Sequence, residues 1–317
     1  MNRFIAKMRR QVLGISPQEA TFARRGFRGG DRPARERLER VGATFLDGYH
    51  AALEMDEARL GSHLNEVGAE WRGFAFEGAA MGLALIDFLT PWRSNRLQSF
   101  IRGPGEPHIY MAHVGAGWAM ARLPVSPARF LKRLDPLLGW LAMDGYGFHE
   151  GYFGGPAYFA AQSRPSGLTD YAARVFDSGL GRSLWFVEGA AVQAVAAVIA
   201  SFPESRRADL WSGVGLACAY AGGRGQPDIE ALCRQAGRFR PQLAQGASFA
   251  AKARVRADNL VAHTELACEL ICGMSAEAAA TVTDAALQAM TIEHPVGDYE
   301  SWRQRIQVSF ASEVLAK

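Results

Sequence analysis

The sequence has 317 residues, of which 49% are hydrophobic, and its 35 lysines and arginines nearly balance its 32 acidic residues. A chain of this kind can bury a large core, and a formal net charge of +3 does not indicate a general nucleic-acid-binding surface. Its four cysteines contain no C-x-x-C pair and give no sign of a disulfide framework. The apolar stretches are shorter than the ~20 residues of a membrane-spanning helix, so we predict a cytoplasmic chain without a transmembrane segment.

Basic residues are concentrated in residues 1–40, which we interpret as an N-terminal arm. Lys7, Arg9 and Arg10 interrupt the apolar region that a secretory signal would need. Aromatic side chains do not interleave with the basic ones as in single-strand binders, so no nucleic-acid partner is predicted. A solvated face, or an arm packed on the body, is favoured over contact with an anionic membrane surface.

Helical patterns follow in chain order. Residues 33–66 carry apolar side chains at steps of three and four, which predicts one amphipathic helix. Residues 77–88 and 188–202 are rich in alanine and apolar almost all round. We therefore predict two central buried helices, which end before Pro91 and Pro203.

Further helices are predicted at residues 108–121, where glycines allow close helix contact, and at residues 127–143, which residues 144–147 bring to an end. A late helix covers residues 275–290, with Ser275 as its N-cap. Because an alternating strand pattern is missing from the sequence, the predicted fold is all-α and forms a single helical domain.

A short pattern recurs three times and places one glutamate among apolar or small residues. Its copies are centred on Glu77, Glu188 and Glu265. The recurrence predicts an internally duplicated, diverged domain over residues 1–317, with three topologically similar buried helices. The repeat-like units are expected at residues 41–160, 161–245 and 246–317.

Four longer strings are specific enough to compare with known families. They are Glu77-Gly78-Ala79-Ala80, Asp144-Gly145-Tyr146-Gly147-Phe148-His149-Glu150-Gly151-Tyr152-Phe153, Gly181-Arg182-Ser183-Leu184-Trp185-Phe186-Val187-Glu188-Gly189 and Ala208-Asp209-Leu210-Trp211-Ser212-Gly213-Val214-Gly215-Leu216. With these strings the chain resembles the bacterial domain-of-unknown-function family DUF1702, encountered in enediyne polyketide biosynthetic gene clusters. The likeness runs from Arg10 to Trp302. It implies specialised metabolism and the handling of a polyene-derived intermediate, and it supplies no catalytic residues.

A carboxylate in an apolar helix is costly unless a partner satisfies it, so each repeated glutamate marks an internal ion pair or a site. For each glutamate taken singly, a structural role is modestly favoured, in which it binds a neighbouring arginine or caps a helix N-terminus. We predict that Glu77 and Glu188 are buried, with a basic or hydrogen-bonding partner or a raised pKa. The candidate acid/base groups of the chain are Glu77, Glu188, His149, Glu150 and His113.

His149 and Glu150 form the sharpest polar pair, and aromatic side chains flank them. A zinc-protease helix would need a second histidine where Phe153 stands, and the repeated glutamates lack the Glu-x-x-His motif of di-metal bundles. We therefore predict no metal and no cofactor. We expect His149 to face a cavity and to be needed for activity rather than for folding. Contacts to substrate are expected from Phe76, Tyr146, Tyr152, Trp185 and Glu265.

Two functions remain open at this point. One is an enzyme that applies general acid/base chemistry to a hydrophobic, unsaturated small molecule. The other is a noncatalytic helical protein that binds a partner protein or shelters a reactive natural product. A closed cavity lined by carboxylates favours the first, and polar groups fully engaged in ion pairs favour the second.

Overall fold

The computed structural model describes residues 3–93, 95–290 and 295–315, and these residues form helices, turns and loops without a β-strand. The all-α prediction is confirmed. The helices are α1 (Arg3–Leu13), α2 (Phe22–Arg25), α3 (Arg32–Glu54), α4 (Glu57–Asn65), α5 (Ala69–Leu89), α6 (Arg96–Arg102), α7 (Ile109–Ala121), α8 (Pro127–Leu131), α9 (Leu141–Ala161), α10 (Asp170–Val187), α11 (Val192–Ser201), α12 (Glu204–Ala221), α13 (Gln226–Ala236), α14 (Arg240–Arg256), α15 (Ala262–Ile271), α16 (Ala276–Gln288) and α17 (Pro295–Leu315).

Side-chain caps define where several helices begin. Asp31, Asp56, Thr169 and Ser275 each accept a hydrogen bond from a backbone N–H in the first turn of the helix that follows. These oxygens satisfy donors that have no partner inside the helix. The predicted cap at Ser275 is therefore present, at the start of α16.

Several predicted boundaries were wrong. The helix expected at residues 127–143 covers only α8 before the chain turns, and α9 begins at Leu141. The helix expected at residues 33–66 is divided into α3 and α4, because Asp56 caps a new helix. The helix expected at residues 188–202 begins only at Val192, because Gly189 and Ala190 both have positive φ angles. Residues 144–147, where a break was expected, are helical and lie inside α9. The only residue of α9 with non-helical backbone angles is Gly155, just before Pro156.

The long helices pack through pairs of glycines separated by one residue. Residues two apart on a helix point about 200° apart, so such a pair serves two opposite faces. A Cβ at Gly117 of α7 would lie 2.0 Å from the carbonyl oxygen of Ala142 in α9, and one at Gly145 would lie 2.0 Å from that of Val114. The four pairs that make contacts of this kind are Gly115/Gly117, Gly145/Gly147, Gly179/Gly181 and Gly213/Gly215.

Gly48 and Gly78 make the same kind of contact between α3 and α5. Helices α3, α5, α7, α9, α10 and α12 thus surround a common centre, and side chains from all six line one cavity. The two ends of this series also meet, because Arg37 in α3 donates a hydrogen bond to the carbonyl oxygen of Ala221 in α12. Helix α14 packs outside α12, where Gly215 and Gly246 approach the facing backbones. The ring of helices therefore has a side-chain-lined interior.

The N-terminal arm packs against this ring. The backbone N–H of Ile15 donates to His50 Nε2, and Arg10 pairs with Glu54 at 3.2 Å. Further along, the N–H of Arg28 donates to the carbonyl oxygen of Val187 at the end of α10. In the described parts of the chain no single helix is long and apolar enough to cross a membrane, although the bent pair α15 and α16 passes on length and composition alone.

The three repeated glutamates do not occupy similar positions, contrary to expectation. Glu77 lies in the middle of α5, Glu188 is the C-cap of α10, and Glu265 lies in the first turn of α15. Sequence similarity over seven residues did not predict a common place in the fold, because helix ends depend on flanking turns. The expected unit boundaries stay predictions.

Candidate functional site

The central cavity is largely apolar. Glu77 and Arg182 are the buried charged groups on its walls. The N-terminal segment closes part of it through Glu19 and Ala20. Its other walls include Val41, Phe45, Phe74, Met111, Trp118, Phe148, Tyr152, Phe153, Phe186, Leu216, Ala217 and Tyr220.

Glu77 projects from the middle of α5 and is 5% exposed. Its Oε1 accepts a hydrogen bond from Trp118 Nε1 at 3.1 Å and lies 3.8 Å from Arg182 Nη2. Burial raises the pKa of Glu77 to about 7, although Arg182 and Trp118 oppose the rise and Asp144 adds to it. A carboxyl group with this pKa changes its protonation state in the neutral range.

Arg182 is the cation of the site, and it is 4% exposed. Its Nε lies 3.1 Å from Asp144 Oδ1, and its guanidinium carbon lies 4.5 Å from the centre of the Phe148 ring. Two carboxylates therefore face one guanidinium inside the protein. Protonation of Glu77 leaves a balanced pair of Arg182 and Asp144, which is the electrostatic reason for a readily protonated Glu77.

Several polar atoms at this centre lack hydrogen-bond partners among the described residues. They are Arg182 Nε, Arg182 Nη2, Asp144 Oδ1 and the Tyr220 hydroxyl. The contacts of Arg182 with the carboxylates are therefore charge contacts without normal hydrogen-bond geometry. Buried polar groups are nearly always satisfied in folded proteins, so unpaired ones next to a cavity indicate a place for water or for a guest molecule.

A second cavity adjoins the first. It is lined mainly by apolar residues of α7, α9, α12 and α14 and by Trp302 of α17, with Lys252 of α14 as a further charged residue on its wall. Met111, Arg182, Leu216 and Tyr220 line both cavities. Arg182 and Tyr220 thus stand at the boundary between two apolar spaces.

A family model described as protein of unknown function (DUF1702) matches residues 4–310. The chain belongs to this family. No curated protein and no solved structure matches it. The expected family is thereby confirmed over nearly the whole chain.

Of the predicted site residues, Glu77 and Tyr152 line the central cavity. The Tyr152 hydroxyl donates to the Glu19 carbonyl oxygen at 3.3 Å. The expected burial of Glu77 and Glu188 with polar partners is confirmed. Glu188 pairs with Arg28 at the end of α10, and it is not among the cavity-lining residues.

His149 lies behind the cavity wall. Its ring meets the Trp118 indole edge-on at 5.7 Å between centroids, and its Nδ1 lies 3.2 Å from Glu150 Oε1. Burial lowers the pKa of His149, although Glu150 opposes this. His149 and Glu150 line neither the central cavity nor the second cavity, so any effect of theirs on a bound guest would act through Trp118.

The remaining predicted residues lie in the core or at helix ends. His113 Nδ1 is 2.8 Å from the Ile109 carbonyl oxygen in its own helix, and burial lowers its pKa. The Phe76 ring is stacked against His108 at 4.2 Å. Trp185 donates a hydrogen bond to the carbonyl oxygen of Gly222, and the Tyr146 ring packs against the Phe176 ring. Glu265 accepts a hydrogen bond from the backbone N–H of Ala276.

In the part of the chain that the structure describes, no group of three or more histidine, cysteine or acidic residues could hold a metal ion. Cys268 and Cys272, which share a helix face, are buried and unbridged. Their sulfurs contact the carbonyl oxygens of Ala247 and Ala244 in α14.

Sequence reasoning missed Asp144, Arg182, Trp118 and Tyr220. The sequence carries a signal for the two charged residues, because each stands among small or apolar residues. Arg182 lies in the string Gly181-Arg182-Ser183-Leu184, and Asp144 precedes Gly145. A charge among small and apolar residues needs a partner, and this holds for Arg182 and Asp144 as it does for Glu77. Trp118 and Tyr220 resemble other core aromatics in sequence, so only the fold distinguishes them.

Proposed function

We propose that this protein is an enzyme that moves protons on a hydrophobic, unsaturated small molecule held in the central cavity, with Glu77 as general acid and base. The observation that carries the proposal is one carboxyl group, with a pKa of about 7, on the wall of an apolar cavity. A group whose pKa is close to the working pH supplies both the acid and the base form.

The surroundings of Glu77 support this role. Trp118 holds one carboxyl oxygen in place, and Arg182 stabilises the ionised form. Apolar walls exclude water, which strengthens charge interactions inside the cavity. Arg182 and Asp144 therefore shift the pKa of Glu77 in opposite directions, Arg182 lowering it and Asp144 raising it.

The walls also bear on the substrate. Phe45, Phe74, Phe148 and Phe186 offer ring faces and edges to a guest, and they suit a conjugated molecule better than a polar one. We extend the proposal to a polyene or enediyne-type polyketide intermediate of bacterial specialised metabolism.

A noncatalytic protein that shelters a reactive product is the second candidate. The contacts of Arg182 with both Glu77 and Asp144 favour it, because such a cluster can serve packing alone. The unpaired atoms of Arg182 and Asp144, among the residues described, weigh toward the enzyme.

Turnover separates the two candidates. The gene is deleted in its native host, and the extract of the deletion strain is incubated with purified protein at a far lower molar amount than the accumulated compound. The enzyme proposal predicts conversion of many equivalents per protein molecule. Conversion of one equivalent or less, with retention of the compound on the protein, would support the sheltering function.

Glu77→Gln tests the acid/base assignment in the same assay, and Glu188→Gln is the matched control. Both are buried glutamates with polar partners, but only Glu77 lines the cavity. Loss of turnover is expected for Glu77→Gln and retention for Glu188→Gln, with both variants folded by circular dichroism. Full turnover by Glu77→Gln would remove Glu77 from the mechanism.

A further inference from the structure

The boundary between the two cavities contains donors that the protein leaves unused. Arg182 Nε and Nη2 and the Tyr220 hydroxyl are buried, and none has a hydrogen-bond partner within the described residues. Arg182 and Tyr220 are each less than one-tenth exposed, and both line the two cavities. Leaving such donors unsatisfied costs free energy, so a bound acceptor would recover it.

The geometry points to one class of guest: we propose that the site binds an unsaturated carbonyl compound, with its oxygen at Arg182 and Tyr220 and its apolar arms in the two cavities. This inference names the substrate class of the proposed function and rests on it.

The chemistry of the walls limits the alternatives. A guest with several polar groups would leave them unpaired against Phe74, Met111 and Leu216. A pure hydrocarbon would leave the donors of Arg182 and Tyr220 unpaired. A single carbonyl oxygen accepts two hydrogen bonds, so it matches donors from Arg182 and Tyr220, while Asp144 Oδ1 keeps its charge contact with Arg182 Nε.

The placement also fits proton transfer. Glu77 Oε1 lies 3.8 Å from Arg182 Nη2, so an oxygen near the guanidinium brings the neighbouring carbons of the guest toward the carboxyl group. Ionised Glu77 would remove a proton from a saturated carbon next to the carbonyl or next to its conjugated double bond, and the electron pair would move to the oxygen. Return of that proton to another carbon of the conjugated system shifts the double bond, with no net gain or loss of atoms or electrons.

Two small molecules of nearly equal shape test whether the site prefers a carbonyl compound. One is benzylideneacetone, an unsaturated ketone, and the other is the diene in which a methylene group replaces its carbonyl oxygen. Equilibrium dialysis against the full-length protein should show the ketone bound at least about tenfold more tightly, as expected of a hydrogen bond to a charged donor. Equal affinities, or no binding of the ketone up to its solubility limit, would overturn the inference.

Variants assign the preference to the donors. Tyr220→Phe removes one unpaired hydroxyl, and Tyr152→Phe is the matched control because Tyr152 lines the cavity but donates to the Glu19 carbonyl oxygen. We expect the ketone preference to fall several-fold in Tyr220→Phe and to persist in Tyr152→Phe. An unchanged preference in Tyr220→Phe would show that water, not a guest, satisfies that hydroxyl, and would overturn its assignment.

The double variant Asp144→Asn/Arg182→Met removes the guanidinium without leaving Asp144 charged and unpaired. If circular dichroism shows that this variant is folded, its preference for the ketone should be lost. If it unfolds, Arg182→Lys is used instead. That variant keeps the charge and loses the planar guanidinium, so it should reduce the preference for the ketone. Retention of the preference in a folded variant would contradict the inference.

Exchange separates this inference from the function it rests on. In heavy water, the wild type should speed deuterium incorporation next to the carbonyl of benzylideneacetone, and Glu77→Gln should not. Ketone selectivity without exchange would leave the ligand class standing and contradict the role of Glu77. Turnover of the native compound with equal affinity for both probes would support the role of Glu77 and contradict the carbonyl ligand class.

Discussion

Glu77 and Arg182 approach each other to 3.8 Å on the wall of the central cavity, one from α5 and one from α10. The guanidinium stabilises the ionised carboxylate, yet burial and Asp144 outweigh it, so the pKa of Glu77 is raised to about 7. The pair is therefore responsive to pH in the neutral range.

The first prediction concerns stability against pH. Because the folded-state pKa of Glu77 lies above its ordinary value of 4.5, its contribution to stability is complete below that value. The contribution is lost as the pH rises through about 7. The free energy of unfolding of the wild type, relative to Glu77→Gln, should fall by about 2–3 kcal/mol between pH ~5 and pH ~8. Urea denaturation of both proteins across this range measures it, and a constant difference would contradict the raised pKa.

The second prediction concerns Arg182 and Asp144. Arg182→Met leaves two buried carboxyl groups without their cation and should cost about 3–5 kcal/mol at pH ~8. Asp144→Asn should lower the pKa of Glu77, because the Asp144 charge raises it. The double variant should lose less stability than Arg182→Met alone, since no unpaired Asp144 charge remains. Additive losses in the double-mutant cycle would show that the two residues are not energetically coupled.

The third prediction compares two tyrosine hydroxyls. The Tyr49 hydroxyl donates to the Leu13 carbonyl oxygen at 2.7 Å, whereas the Tyr220 hydroxyl has no partner among the described residues. Tyr49→Phe should cost about 1 kcal/mol, and Tyr220→Phe should leave the free energy of unfolding unchanged or slightly higher. A larger loss in Tyr220→Phe than in Tyr49→Phe would reveal a partner for the Tyr220 hydroxyl.

The fourth prediction concerns the glycine contacts between helices. Gly117→Ala would place a methyl group 2.0 Å from the Ala142 carbonyl oxygen, so α7 and α9 must separate. We expect a loss of about 2–3 kcal/mol in thermal or urea unfolding. Gly297→Ala in α17 is the control, because its Cβ would meet no atom of the described residues within 4 Å. That variant should be as stable as the wild type or gain up to about 1 kcal/mol from helix propensity.

The sequence alone determined the fold class and the burial of Glu77. Apolar steps of three and four residues are a local property, and so is the cost of a carboxylate among alanines and glycines. The glycines of α7 could be recognised as sites of close helix contact for the same reason. The cap at Ser275 was likewise visible, because capping depends on residues within one turn.

The tertiary structure decided which charges meet. Glu77, Asp144 and Arg182 are far apart in the chain, and no local pattern states that their helices surround one cavity. It also separated Glu77 from Glu188, whose sequence surroundings are alike, because positive φ angles at Gly189 and Ala190 end α10 beside Glu188. Side-chain partners across a cavity depend on how whole helices pack, so the site became visible only when the ring of helices was complete.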